Sequence, residues 1–127
     1  MVRILTGVLG LTAVALTMAL LPAPALADAA QGKNVFQQQC AICHASVAGG
    51  KKNGPSLYGV VGRTSGTLPG YSYSAAMKKA ALTWTPDELS TYLAAPRQTV
   101  PGTKMTYNGV ADKAKLADVV LYLQTLK

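Results

Sequence analysis

Cys40-Ala41-Ile42-Cys43-His44 concentrates the reactive side chains of this 127-residue sequence, holding both of its cysteines and its single histidine. The C-x-x-C-H spacing is that of covalent haem attachment. At the end of a helix, thiols at i and i+3 point the same way and can add across the two vinyl groups of one porphyrin. The next residue, His44, then stands where its imidazole reaches the iron. Three other uses of the pair fare worse. Zinc takes four ligands, and there is no third cysteine or second histidine. A thioredoxin-like redox pair belongs between a strand and a helix, a context missing here. A structural disulfide suits an oxidising compartment but leaves His44 and the long loop after it without a role.

An iron held by His44 has a second face to fill. Beyond the first 27 residues the thioethers are Met77 and Met105. Met usually fills gaps in a core, and Met77, between Ala76 and Lys78 on a short helix, reads that way. Met105 ends Val100-Pro101-Gly102-Thr103-Lys104-Met105, a Pro-Gly turn stiff enough to hold a side chain at a set position, and is the candidate second ligand.

The elements that position these residues are helices. Asp28 can cap one in which Gly32, Phe36 and Cys40 share a face. Thr85-Pro86-Asp87-Glu88 is a helix start, with Thr85 as N-cap, proline in the first position and Glu88 completing a capping box. That helix carries Leu89, Tyr92 and Leu93 inward and stops before Pro96. A shorter turn of helix is expected from Ser74 to Ala80. Leu116, Val119, Val120, Leu123 and Leu126 mark a final amphipathic helix, with Lys113, Lys115 and Gln124 left for water. Residues 45–72 hold seven glycines and two prolines with no sustained period and no strand pair. A loop of that length in a compact domain calls for something other than protein to pack against. A large flat cofactor meets the need.

Residues 1–27 read as a cleaved signal peptide. Arg3 is the only charge before Asp28, an apolar run follows it, Pro22 and Pro24 break any helix, and Ala25-Leu26-Ala27 has the small-x-small pattern of a cleavage site. An uncleaved membrane anchor is the competing reading of the same run. Cleavage leaves one domain, 28–127, with no stable membrane insertion. Losing Arg3 takes Lys plus Arg from 12 to 11 against five acids, a net charge of +6. A basic surface suits an anionic partner. Basic residues interleaved with aromatics are missing, so nucleic acid is not expected.

From residue 30 to 126 the chain resembles the short, mitochondrial-type class I cytochromes c and their bacterial relatives. The likeness rests on Gly32 and Phe36, the attachment motif, Gly54-Pro55-Ser56-Leu57, Gly62-Arg63 and Pro69-Gly70-Tyr71-Ser72-Tyr73. Trp84, Tyr92-Leu93, Pro96, the Pro101–Met105 turn and Tyr122-Leu123 continue it in order. The resemblance implies an all-α class I cytochrome c fold, with first and last helices crossing at Gly32 and Tyr122 and loops wrapped around one haem c on Cys40 and Cys43. It implies His44 and Met105 as iron ligands, the Pro55 carbonyl on the imidazole N–H, Arg63, Tyr73 and Trp84 about the propionates, and Tyr92 and Thr103 about the methionine sulfur. Lys33, Lys51, Lys52, Arg97 and Lys104 are implied to ring the haem edge. Met77 departs from the pattern, standing where the eukaryotic proteins have an asparagine in a buried polar network.

An iron closed by two side chains disfavours oxygen or substrate binding and leaves electron exchange. The expectation is a monomeric, periplasmic one-electron carrier that is not an enzyme. Its partners would be redox proteins with acidic docking faces, such as a quinol–cytochrome c reductase, a terminal oxidase or a dehydrogenase. The alternative is a haem enzyme or gas sensor with a labile sixth ligand.

Overall fold

The computed structural model describes residues 25–127. The expected leader lies outside them, apart from Ala25 to Ala27. Five helices follow in order: α1 (Ala29–Gln39), α2 (Ala75–Ala80), α3 (Pro86–Ala94), α4 (Pro96–Thr99) and α5 (Lys113–Gln124). Among the described residues the only β-type pairing is an isolated bridge between Thr64 and Thr83.

Short polar side chains start the helices by accepting N–H groups that have no partner inside the helix. Asp28 caps α1 through the N–H groups of Ala30 and Gln31, and Ser74 caps α2 through Met77. Asp112 does the same for α5 through Ala114 and Lys115. At α3, Thr85 Oγ1 accepts from the Glu88 N–H at 3.1 Å. The capping box expected there is half-made, because the Thr85 N–H already donates to the Thr83 carbonyl. The chain does leave α3 before Pro96, but Pro96 opens the further turn α4, which the sequence reading did not anticipate. Proline suits that first position because the N–H it lacks would have had no helical partner.

The first and last helices of the described residues meet. Helices α1 and α5 pack more extensively than any other pair. The contact is close because Gly32 lies on the α5 backbone, where an added Cβ would fall 1.9 Å from the Asp118 carbonyl oxygen. Phe36 and Tyr122 complete the crossing, with ring centroids 5.4 Å apart. Val119, the most deeply buried large side chain of α5, is 1% exposed. Each such burial contributes roughly 1.5–3 kcal/mol.

The long glycine-rich loop is held by protein as well as by the space it surrounds. The Gly62 N–H donates to the Trp84 carbonyl, the Trp84 N–H to Arg63 and the Ser65 N–H to Leu82. Ser65, 2% exposed, donates its hydroxyl to the Met77 carbonyl and accepts the Leu82 N–H. Buried Ser56 donates to the Val47 carbonyl and accepts the Tyr58 N–H. These two serines satisfy backbone groups that no helix supplies with a partner, which is what allows those parts of the loop to be buried. The sequence reading gave neither serine this role.

Candidate functional site

Helices α1, α2, α3 and α5 and the loops leave a cavity of about 500 Å³ between them. That is far larger than the voids left in a close-packed interior. Cys40, Cys43, His44, Pro55, Arg63, Tyr73, Trp84, Tyr92, Thr103 and Met105 all line it. Every residue singled out from the sequence for cofactor contact therefore faces one space. Leu57, Val60, Leu89, Leu93, Val119 and Leu123 supply apolar wall.

The attachment motif sits where α1 ends. Cys40 is the C-cap, and the Cys43 and His44 N–H groups both donate to its carbonyl, at 3.0 and 2.9 Å. This turn presents both thiols and the imidazole to the cavity. Burial, reinforced by the neighbouring Cys43, pushes the Cys40 thiol up to about 11. The same surroundings accept a thioether readily, since it has no charged form to desolvate.

The imidazole is fixed by the loop. His44 Nδ1 lies 2.7 Å from the Pro55 carbonyl oxygen. A carbonyl only accepts, so Nδ1 carries the proton and the Nε2 lone pair is free for a metal. Gly54 makes room, because a Cβ there would lie 2.6 Å from His44 Cε1. Burial lowers the His44 pKa, the Pro55 contact opposes that shift and Lys52 adds to it. The neutral ring that a metal requires is thereby favoured.

Around Met105 the hydrogen bonds have a defined direction. Thr103 Oγ1 accepts the Met105 N–H at 3.3 Å and lies 3.2 Å from the Tyr92 hydroxyl, which is itself 3.4 Å from Met105 Sδ. Tyr92 has one proton. With that proton on the sulfur, Thr103 donates its own to the tyrosine oxygen. Burial raises the Tyr92 pKa, which the Thr103 bond opposes and Tyr71 reinforces, so the phenol stays a donor. Trp84 packs beside Tyr92 with ring centroids 5.0 Å apart.

Arg63 and Tyr73 make the polar end of the wall. Arg63 Nη2 donates to the Ser56 carbonyl at 3.0 Å. Burial lowers the Arg63 pKa and raises that of Tyr73, and each opposes the shift in the other. A guanidinium and a phenol here suit carboxylates on a bound group. Met77, 8% exposed, belongs both to the core and to the cavity wall, in keeping with its reading as a gap filler.

Of the basic residues implied at the haem edge, Lys104, Lys52 and Arg97 bond to segments at or next to the cavity. Lys52 donates to the Ala41 carbonyl inside the attachment motif, and Lys33 shares a small depression with Lys52 and His44. Arg97 donates to the carbonyl of Thr106, and Lys104, on the cavity wall itself, donates to Ser72 at 2.6 Å. Lys51 is exposed in the loop. Gln39 and Tyr107 also line the cavity and hydrogen-bond to each other. The sequence reading missed both; their signal was adjacency, one residue before Cys40 and two after Met105.

The donor set fits a haem: two thiols one turn apart, a neutral imidazole with a free lone pair, a thioether, apolar walls and a cationic corner. The family model for cytochrome c matches residues 29–127. Cytochrome c2 of Rhodopila globiformis is 52% identical over 100 residues, covering 79% of this chain and 94% of that protein. Cytochrome c of Euglena viridis is 47% identical, covering 79% and 98%. Among solved structures, cytochrome cH from Methylobacterium extorquens superposes with a TM-score of 0.72 at 42% identity, covering 77% of this chain and 98% of that one.

Proposed function

The chain belongs to the cytochrome c family, and from that premise we propose that His44 and Met105 hold the iron of its haem c while the protein carries single electrons in the periplasm. The fold is the class I cytochrome c fold, and one haem c is joined through Cys40 and Cys43. As a cytochrome c, the protein transfers electrons and is not an enzyme. Bound in the cavity, the haem supplies reversible Fe(III)/Fe(II) exchange.

The observation that carries the ligand reading is the pair of bonds behind the two donor atoms. The Pro55 carbonyl keeps the His44 proton on Nδ1 at 2.7 Å, and the Tyr92 hydroxyl lies 3.4 Å from Met105 Sδ. Each donor atom is thus oriented by a residue on another segment before any metal is considered. The apolar wall keeps water from the iron, and Arg63 with Tyr73 receives the propionates. Two protein donors leave no open position, which suits exchange of electrons alone.

Residues 1–27 are a signal peptide removed after Ala27, and the mature domain, 28–127, is monomeric. Among the described residues no helix is long and apolar enough to cross a membrane. The basic residues about the cavity mouth steer the protein to acidic faces on its redox partners, with brief, salt-sensitive contacts. A quinol–cytochrome c reductase and a terminal oxidase, or a periplasmic dehydrogenase, are partners of that kind.

Carbon monoxide tests the ligand set. The reduced protein should not bind it at neutral pH, and Met105→Ala should. Rapid binding by the unaltered protein would favour a sensor or enzyme with a labile ligand. Mass spectrometry of the native protein should show a chain beginning at Asp28 plus one haem.

A further inference from the structure

Tyr107 and Gln39 stand 68 residues apart in sequence, and the Tyr107 hydroxyl donates to Gln39 Oε1. Gln39 is the last residue of α1 and immediately precedes Cys40. Tyr107 follows Met105 by two residues, in a segment with no helix of its own. Both side chains line the cavity and both are half-buried. The bond therefore ties the segment bearing the thioether directly to the segment bearing the thiols.

No other side-chain bond joins these two segments among the described residues. The Met105 segment is otherwise tethered by Thr103 and Tyr92 on one side and by Lys104 to Ser72 on the other. Beyond Met105, the Arg97 contact to Thr106 is a single exposed bond. The next backbone anchor is the Val110 N–H on the Leu93 carbonyl. Residues 106–109 thus have few hydrogen bonds of their own: Gly109 packs on the Ala94 backbone at one end, and the phenol–amide bond falls between that contact and Met105.

We infer that the Tyr107–Gln39 hydrogen bond is a latch that holds Met105 in place by restraining its segment against the attachment helix. The inference rests on the reading of Met105 as an iron ligand. Neither residue touches the iron; both are positioning residues that act through Met105. Breaking the latch lets the segment swing out more often, so the thioether leaves the iron more often and an external ligand can enter.

Imidazole added to the ferric holoprotein reads this directly, because it binds only when Met105 has left. A net hydrogen bond of ordinary strength corresponds to about a 2- to 12-fold change in the open population. Tyr107→Phe, which keeps the ring and its packing, should accelerate imidazole binding by about that factor. Gln39→Leu should do the same, and the double variant should be no faster than either alone. Gln39→Glu retains an acceptor at least as strong and should bind imidazole no faster than the unaltered protein. The sulfur-to-iron charge-transfer band of the resting protein reports separately on Met105. If that band is present and neither Tyr107→Phe nor Gln39→Leu changes the rate, the latch is overturned while the ligand reading stands. If the unaltered protein lacks the band, the ligand reading fails first and the latch falls with it.

Discussion

The Tyr92 hydroxyl lies 3.4 Å from Met105 Sδ, across 13 residues of sequence, and Thr103 Oγ1 stands 3.2 Å from the same hydroxyl. A proton directed at the sulfur draws electron density from it. That weakens its donation to the iron, and ferric iron depends on such donation more than ferrous iron does.

Removing the donor should therefore stabilise the oxidised form. For Tyr92→Phe the expected change is a fall in reduction potential of about 20–60 mV, the equivalent of one net hydrogen bond for a one-electron couple. Potentiometric titration measures it. A rise, or no change with Met105 still bound, would remove Tyr92 as a modulator of the sulfur.

Gly32 is held by contact rather than by its own torsion. An added Cβ meets the Asp118 carbonyl oxygen at 1.9 Å and the Tyr122 Cβ at 2.8 Å. The first of these belongs to helix backbone, which cannot swing aside. Gly32→Ala should cost about 3 kcal/mol or more, read from the denaturation midpoint of the holoprotein. A variant as stable as the parent would mean that the two helices pack with slack.

The cavity sets how far the fold depends on its cofactor. A cavity of about 500 Å³ stands where an ordinary domain packs side chains, and unfilled core space costs stability of which a small domain has little. A Cys40→Ala/Cys43→Ala chain, unable to attach haem, should lose most of its helical circular dichroism. Retention of the full helical signal without haem would show that the protein core suffices alone.

Asp28 and Asp118 offer a test of processing. The backbone N–H of Asp28 donates to Asp118 Oδ1 at 2.7 Å. Cleavage after Ala27 turns that amide into an ammonium facing a carboxylate. Asp118→Asn should then cost up to about 1 kcal/mol in the mature protein, with the cost shrinking as salt is added. The uncleaved chain should show a smaller, salt-independent effect. Equal costs in both forms would contradict an ammonium at that position.

The parts of this protein that were legible in the chain follow from short-range rules. Attachment at Cys40, Cys43 and His44 is a matter of spacing within one helical turn. Asp28, Ser74 and Thr85 cap the residues that immediately follow them, so their helices start where expected. Met105 stood out because its Pro-Gly turn is rigid within six residues of chain.

What the sequence by itself determined, then, is which atoms can bond the cofactor and where the helices begin. The tertiary structure alone decided which distant groups meet. Ser56 and Ser65 have no local mark of their role, because burial alone obliges each to satisfy backbone groups of other segments. The second half of the Thr85–Glu88 capping box gave way because Thr83 had already taken the N–H it needed. Tyr107 finds Gln39, and Tyr92 finds Met105, only when α1, α3 and the Met105 segment close around one space. Such pairs carry no local signature, because a hydrogen bond depends on separation in space and the chain specifies that separation only through the packing of everything between.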